Sequence, residues 1–157
     1  MPAPEPCFFC DSMLGRLVRW LRLLGYDAVY HPEIGDWEML RQCAAEGRIL
    51  LTRDRRVMER WQIGRGQVRA ALIGSDKVEE QLKEAAARFG LEPQPEPRCP
   101  EDNAVLLALP HEKARDRVPP YVYQTQTSFR SCPGCGRVYW QATHWRRIEA
   151  MRGSISG

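Results

Sequence analysis

The stretch at residues 47–56 constrains the fold of this chain more than any other. A glycine and an arginine precede the uncharged run Ile-Leu-Leu-Thr at 49–52, and the charged run Arg-Asp-Arg-Arg follows it at 53–56. A short apolar run bounded in this way is typical of a strand that is buried on both faces of a parallel sheet. Ligands bind at the carboxyl ends of such strands. Asp54, which stands at that end, is therefore a candidate metal ligand.

The segment before residue 92 alternates between predicted strands and predicted helices. Short apolar runs predict strands at 6–10, 27–30, 48–54 and 69–73. Apolar residues at helical spacing predict helices at 13–24, 36–46, 54–61 and 76–89. In the second helix we expect a buried stripe of Trp37, Leu40, Cys43 and Ala44. The alternation predicts an α/β domain with a central parallel sheet and right-handed crossovers.

An aspartate stands in each of these strand and helix units, in the order Asp11, Asp36, Asp54 and Asp76. Taken singly, Asp36 and Asp76 are explained at least as well as helix caps, and Asp76 has Glu79 at the capping-box spacing. Their regular recurrence is harder to explain by capping alone. Carboxylates forced together repel one another, and a divalent cation that prefers oxygen ligands relieves that repulsion. We therefore predict a Mg²⁺ or Mn²⁺ site formed by Asp11, Asp36 and Asp54, with Asp76 assisting.

Arginine dominates the basic residues of the chain. Of the 23 basic residues, only Lys77, Lys83 and Lys113 are lysines. The planar guanidinium suits bidentate contacts with phosphate and stacking on bases, although a GC-rich genome produces the same composition and a single exposed arginine is commonly just solvated. The candidate phosphate contacts near the predicted acidic site are Arg16, Arg19, Arg22, Arg53 and Arg55. Acids that hold a metal, ringed by arginines that hold phosphate, are the arrangement of a metal-dependent nuclease.

Three segments of the chain resemble the C-terminal RNase domain of the Mut-seven exonucleases. They are DSMLGRLVRWLRLLGYD at 11–27, RILLTRDR at 48–55 and CPGCGRVYWQATHW at 132–145. The resemblance implies a PIN-like three-layer α/β/α domain followed by a zinc ribbon, and it implies metal-dependent cleavage of RNA. It also places the acidic positions of the family on Asp11, Asp36 and Asp54.

A proline-rich segment predicts the boundary between two domains. Residues 92–98 contain three prolines and suit a stiff, extended linker. We expect a PIN-like nuclease domain at 6–91 and a zinc-ribbon-like domain at 99–150. No run is apolar enough over the length needed to cross a bilayer, and the first residues lack the basic and apolar regions of a signal peptide. We therefore expect a cytoplasmic protein.

The cysteines of the second domain predict a zinc site. Cys99 and the pair Cys132 and Cys135 supply three of the four ligands that structural zinc requires. The family has a cysteine at the position of Asp102, and because a carboxylate oxygen also binds zinc, Asp102 is the expected fourth ligand. The alternative fourth ligands are His111 and His144. A further alternative is a site that has lost its metal, with apolar residues alone holding the ribbon.

The remaining cysteines are expected to be buried or partly buried thiols. Cys7 and Cys10, taken with Cys132 and Cys135, have the formal pattern of a four-cysteine site. However, Cys7 and Cys10 are three residues apart in a predicted strand, so their side chains would point to opposite faces. A redox role would need a helix N-terminus after the first cysteine. Cys43 lies on the apolar face of a predicted helix.

The favoured function is a metal-dependent endoribonuclease with RNA as its partner. The alternative is a catalytically silent RNA-binding or ribosome-associated module of the same fold. A net charge of +3 neither requires nor excludes a nucleic-acid partner. The chain contains no Walker loop, no Gly-x-Ser-x-Gly elbow and no dinucleotide fingerprint. A phosphatase of the response-regulator kind would need a lysine at a late strand end, and none stands there.

Overall fold

A four-stranded parallel sheet forms the centre of the molecule in the computed structural model, which describes residues 5–140. Its strands are β1 (Phe8–Cys10), β2 (Ala28–Tyr30), β3 (Ile49–Thr52) and β4 (Ala70–Leu72). The order across the sheet is β2-β1-β3-β4, and every neighbouring pair is parallel. The predicted α/β class with a central parallel sheet is thereby confirmed.

Helices connect these strands. They are α1 (Gly15–Leu23), α2 (Asp36–Glu46), α3 (Arg55–Met58), α4 (Trp61–Gly64) and α5 (Val78–Phe89). The single helix predicted at 54–61 is wrong, because Arg60 has an extended backbone with φ −64° and ψ 142° and separates α3 from α4. Within residues 5–140, no helix combines the length and the apolar character that crossing a membrane requires.

The sheet is covered on both faces. Side chains alternate along each strand, so Phe8 and Cys10 pack with α1 and α5, whereas Phe9 packs with α2 and α3. The strand β3 divides in the same way, with Leu51 on the first face and Leu50 on the second. The result is a three-layer α/β/α arrangement, and it explains why β3 is buried along its whole length.

The buried face of α2 differs from the predicted stripe. Leu40 and Cys43 are buried as expected, and Met39 is buried with them. Ala44 is exposed, and Trp37 is 64% exposed, so their assignment to the core is wrong. The helix follows β2 and therefore begins at the carboxyl edge of the sheet, where its first turn reaches solvent before later turns pack on the strands.

The C-terminal part of the described chain is a small antiparallel sheet. Its strands are β5 (Leu107–Leu109), β6 (Phe129–Ser131) and β7 (Val138–Trp140), paired in that order. A 3-10 turn (His111–Ala114) and the helix α6 (Pro120–Thr125) lie between β5 and β6. A small core joins these elements through Ala114, Val122 and Phe129. The last ten residues of the predicted domain at 99–150 lie outside the described residues.

The proline-rich segment at 92–98 docks on the end of α1. The N–H of Gln94 donates to a backbone carbonyl there at 2.7 Å. The hydroxyl of Tyr26 donates to the carbonyl of Glu92 at 3.0 Å and accepts its N–H at 2.9 Å. Gly25 has a φ of 100°, and a Cβ at this position would lie 2.5 Å from the Cβ of Gln94. The docked segment thus approaches the end of α1 so closely that position 25 has room only for glycine.

The substitution Gly25→Ala tests this contact, with Gly90→Ala as the matched control. Both glycines have positive φ, which costs a non-glycine residue about 1–2 kcal/mol, but nothing lies within 4 Å of a Cβ at Gly90. We expect Gly25→Ala to lower the free energy of unfolding by about 1–3 kcal/mol more than Gly90→Ala, because its methyl group meets Gln94. Urea unfolding measures both values, and equal losses would contradict the close approach.

Candidate active site and metal centre

The sheet has a topological switch point between β1 and β3. From β1 the chain turns to β2 on one side, and it then crosses back to β3 on the other. The connections on either side leave a crevice outside the carboxyl ends of these two strands, and ligands bind in such crevices in open α/β sheets. Asp11 follows β1 directly, and Thr52 ends β3 two residues before Asp54.

A cleft of about 80 Å³ at this crevice collects three of the four predicted acids. Asp11, Asp36 and Asp54 line it together with apolar side chains of α2 and α3. Asp76 is exposed after the edge strand β4 and is not among the residues that line the cleft. Nor does it cap α5, whose cap position is Lys77 and carries no side-chain hydrogen bond. The predicted capping box is therefore wrong.

Asp11 is held by hydrogen bonds in one orientation. It is 7% exposed, and its Oδ1 accepts the N–H of Met13 at 3.0 Å. Its Oδ2 accepts the hydroxyl of Thr52 and the N–H of Arg53, the latter at 3.2 Å. None of the ion pairs among residues 5–140 includes Asp11. Dipoles rather than a neighbouring cation therefore balance this buried carboxylate.

Thr52 connects two of the acids, and the sequence analysis did not identify it. The residue is fully buried, and its hydroxyl donates to Asp11 and accepts the N–H of Asp54 at 3.0 Å. One hydroxyl group thus fixes the ends of β1 and β3 relative to each other. A signal was available, because a polar residue that ends an otherwise apolar buried strand needs hydrogen-bond partners.

Asp54 and Asp36 both stand at helix starts, but only one of them is a cap. Asp54 accepts the N–H of Arg56 at 2.9 Å and so caps α3. Asp36 is the first residue of α2, its neighbour Gly35 occupies the cap position, and no side chain caps that helix. The capping interpretation of Asp36 is therefore wrong. Its carboxylate lies 3.4 Å from the guanidinium of Arg60.

The three carboxylates share the cleft without touching one another. Among residues 5–140, the one group of three or more potential ligands whose atoms all lie within 4.8 Å of one another is the cysteine group described below. Mg²⁺ is usually bound through one or two carboxylates and keeps several of its waters. The three aspartates do not form a group as tight as the cysteine group, so a divalent ion bound by them would keep some of its waters.

The predicted phosphate contacts have different surroundings. Arg16 and Arg55 are exposed to solvent. Arg19 forms an ion pair with Glu101, half-exposed at the surface. Arg53 is half-buried, and its Nε has no hydrogen-bond partner. None of Arg16, Arg53 and Arg55 forms an ion pair among the described residues, so each could turn to a ligand without breaking one.

Arg22, one of the predicted phosphate contacts, is buried. The residue is 9% exposed, and its guanidinium donates to the carbonyls of Ala28 at 2.8 Å and Pro100 at 2.9 Å. Burial lowers the pKa of Arg22, although neighbouring thiols and carboxylates act in the opposite direction. Because its Nε and Nη1 both donate to backbone carbonyls, Arg22 joins β2 to the C-terminal part of the chain. Its guanidinium is therefore not available to phosphate.

The structure brings the four predicted zinc ligands together. Potential ligand atoms of Cys99, Asp102, Cys132 and Cys135 all lie within 4.8 Å of one another. The Sγ of Cys132 lies 3.2 Å from both carboxylate oxygens of Asp102 and accepts the N–H of Gly134 at 3.3 Å. Three thiols and a carboxylate in this arrangement could bind a metal such as zinc.

The histidine alternatives for the fourth ligand are not part of this group. His111 stacks on the ring of Tyr123, with the ring centroids 4.2 Å apart, and lies outside the cluster. His144 falls outside the described residues. Asp102 is therefore the fourth member that the described structure offers.

The members of the group differ in how easily they lose a proton. Burial raises the pKa of Cys132 to about 11. A backbone hydrogen bond from Arg137 lowers the pKa of Cys135, and one from Ala104 lowers the pKa of Asp102. A metal bound here must displace the proton of Cys132, so its affinity is expected to rise with pH.

The loop at 99–103 contributes to the cysteine group and also docks on the α/β part of the chain. Cys99 and Asp102 are members of the group. The next residue, Asn103, donates its side-chain amide to the carboxylate of Asp27 at 2.7 Å. The same loop carries the carbonyl that accepts from Arg22. Residues that would hold the metal and residues that hold the two parts of the chain together thus alternate along one short segment.

The other cysteines lie away from this group. Cys10 and Cys43 are buried in the two cores of the sheet, and burial raises the pKa of both, that of Cys43 to about 12. Cys7 is half-buried, with its Sγ 3.8 Å from the carbonyl of Gly47. The expectation of buried or partly buried thiols is confirmed.

The substitution Thr52→Val tests the hydroxyl bridge between Asp11 and Asp54. Valine keeps the shape but leaves a buried N–H and a buried carboxylate oxygen without this partner, which costs about 1–3 kcal/mol. We expect that loss in the free energy of unfolding, together with faster hydrogen exchange of the Asp54 amide. Thr52→Ser retains the hydroxyl, so its Asp54 amide should stay protected. Equal protection in both variants would contradict the bridge.

Comparison with known proteins supplies the family of the chain. The family model described as Mut7-C RNAse domain matches residues 6–152, which is nearly the whole chain. No curated protein and no solved structure gives a significant match. The family description suggests a ribonuclease-type function with RNA as the substrate. The resemblance seen in the three sequence segments is confirmed, and the chain belongs to the Mut7-C RNAse domain family.

Proposed function

We propose that this protein is a Mg²⁺- or Mn²⁺-dependent endoribonuclease that acts at the aspartate cleft. The observation that carries the proposal is the arrival of Asp11, Asp36 and Asp54 from three separate elements in one cleft at the switch point of the sheet. A family described as an RNase domain makes RNA the substrate to consider first. We also propose a PIN-like classification for the α/β domain, supported by its three layers and by the acids at its carboxyl edge.

The donor set of the cleft fits a hard divalent cation. All three candidate ligands are carboxylates, and Mg²⁺ and Mn²⁺ prefer oxygen donors. Asp11 forms no ion pair within the described residues. Asp54 uses one oxygen to cap α3, and its second oxygen accepts no hydrogen bond within residues 5–140. When bound, the ion would neutralise charge on a phosphodiester and lower the pKa of a bound water.

The residues of the chain have separate tasks in this account. Thr52 keeps Asp11 and Asp54 at a fixed separation through its hydroxyl. Asp36 forms an ion pair with Arg60. A divalent cation would compete with Arg60 for Asp36, and a phosphate would compete with Asp36 for Arg60. The task of holding phosphates of the RNA is assigned to Arg16 and Arg55, which are exposed and follow the first and third acids along the chain.

The substitution Asp54→Asn tests the catalytic role, with Asp76→Asn as the matched control. Asparagine is as good a helix cap as aspartate, so Asp54→Asn removes a charge from the cleft while keeping the contact that starts α3. We expect it to abolish cleavage, because the cation loses a carboxylate. Asp76 lies outside the cleft, so Asp76→Asn should cleave like the parent.

The substrate for this test is a circular single-stranded RNA, incubated with Mg²⁺ and separately with Mn²⁺. A circle has no ends, so linear products report an endonuclease. Cleavage by Asp54→Asn at the parent's rate would remove the cleft from the mechanism. Retention of the circle on the parent protein without any cleavage would instead favour the catalytically silent RNA-binding module.

We further propose that the group of Cys99, Asp102, Cys132 and Cys135 holds a structural zinc ion. Four N, O or S ligands in tetrahedral arrangement are the usual shell of structural zinc, and this group offers three sulfurs and one oxygen. The backbone N–H groups that point at Cys132 stabilise the thiolate form that zinc requires. The antiparallel strands nearby have only a small core, so a metal would contribute much of the stability there.

Zinc content of the purified protein tests this second proposal. We expect about one zinc per chain by elemental mass spectrometry, because the ligand set provides one tetrahedral site. Cys135→Ser should lose most of that zinc. Cys7→Ser is the matched control, since Cys7 lies outside the group, and it should keep the parent's content. Zinc-free parent protein, or equal zinc in all three proteins, would contradict the assignment.

A further inference from the structure

Two tryptophans near the aspartate cleft are exposed. Trp37 is 64% exposed and Trp61 is 50% exposed. The other large apolar side chains this exposed among residues 5–140 are Met13, Leu107 and Tyr121. Met13 itself lines the cleft. Trp37 follows the cleft residue Asp36 directly in sequence, and Trp61 follows Arg60.

Packing within the chain does not account for these two tryptophans. The buried side of α2 consists of Met39, Leu40 and Cys43, and Trp37 is not part of it. In α4 the buried residue is Gln62, next to the exposed Trp61. Isolated apolar residues on a surface need no explanation, but large exposed aromatics beside a polar cleft mark an interaction surface.

An ion pair holds the two tryptophans in the same neighbourhood. Asp36 precedes Trp37, Arg60 precedes Trp61, and the Asp36 carboxylate lies 3.4 Å from the Arg60 guanidinium. The first turn of α2 is thus tied to the junction of α3 and α4. Because Asp36 lines the cleft, each tryptophan is the chain neighbour of one partner of an ion pair at the cleft.

The charge around Trp61 is positive, whereas Trp37 lies between Asp36 and Glu38 in the first turn of α2. Residues 53–65 contain five arginines and two acids. Arg55, Arg56 and Arg65 are exposed, and none of them forms an ion pair within the described part of the chain. The Cζ of Arg65 lies 5.6 Å from the ring centroid of Trp61, so cation and aromatic ring share one contact surface.

We propose that Trp37 and Trp61 form a stacking platform for the bases of single-stranded RNA at the rim of the aspartate cleft. Exposed aromatic rings combined with arginines are how proteins hold single strands, because rings take the base faces and cations take the phosphates. In a duplex the base faces are covered by neighbouring bases, so the platform selects against paired RNA. The inference rests on the proposed function in naming the substrate of that same cleft.

Binding of a short unstructured RNA tests the platform without any cleavage. The probe is a fluorescein-labelled 12-nucleotide RNA in buffer without divalent cations, measured by fluorescence anisotropy on the full chain. Stacking on an aromatic side chain changes affinity by about 5- to 150-fold per base on alanine substitution. We expect Trp37→Ala and Trp61→Ala each to weaken binding within that range, whereas Trp37→Phe and Trp61→Phe keep most of the affinity.

Two controls separate stacking from charge and from folding. Tyr121→Ala removes an aromatic that is 70% exposed on α6, outside the cleft, and should bind the RNA like the parent. A second probe carries tetrahydrofuran abasic sites in place of all bases, so it keeps the phosphates and offers nothing to stack. The parent and both tryptophan variants should bind this abasic strand equally, and all should bind it more weakly than the parent binds normal RNA.

Unchanged affinity of both alanine variants for the normal RNA would overturn the platform, as would equal binding of normal and abasic RNA by the parent. Loss of self-association in these variants with unchanged RNA binding would also overturn it and would make the surface a contact between copies of the chain. The assay contains no divalent cation, so its result does not depend on cleavage. Cleavage by Asp54→Asn at the parent's rate would contradict the catalytic proposal. It would not bear on the stacking platform, which the binding assay tests separately.

Discussion

The hydroxyl of Thr52 is the contact on which the rest of the site depends. It donates to Asp11 after β1 and accepts from the backbone of Asp54 after β3, so it joins the two central strands at the edge where the chain changes direction. The group is fully buried, and a buried hydroxyl is stable only when its hydrogen bonds are made. The same contact that satisfies this hydroxyl therefore joins the carboxylate of Asp11 to the backbone of Asp54.

The C-terminal part of the chain is built into the α/β domain rather than loosely attached to it. The guanidinium of Arg22 is buried between β2 and the loop at 99–103, and Asn103 of that loop reaches Asp27. Because Cys99 and Asp102 alternate with these docking residues, the cysteine group lies directly against the first domain. A metal bound there would stiffen the loop that Arg22 and Asp27 hold.

The four parallel strands could be predicted from local sequence, and so could the meeting of Asp11, Asp36 and Asp54 at their carboxyl edge. A run such as β3 that is apolar up to its final threonine fits a strand covered on both faces, and parallel strands end at a shared edge, so acids such as Asp54 meet there. The missed features depend on contacts between distant segments. Arg22 lies at the same helical spacing as the exposed arginines of α1. It is buried because the loop at 99–103 folds over it and accepts its hydrogen bond. Trp37 is apolar and its spacing predicts a core position. It is exposed because α2 begins at the edge of the sheet, where the first turn does not pack on the strands. Thr52 is recognisable as a polar residue at the end of an apolar strand, but the partners of its hydroxyl, Asp11 and the backbone of Asp54, are defined only by the fold.

The central claim is that the cleft between the two central strands binds a divalent cation. Anomalous diffraction from a crystal soaked in Mn²⁺, collected at the manganese edge, tests that claim most directly. The account predicts an anomalous peak in the cleft, within reach of the carboxylates of Asp11, Asp36 and Asp54. Manganese found only at other places, or an empty cleft at saturating Mn²⁺, would contradict it.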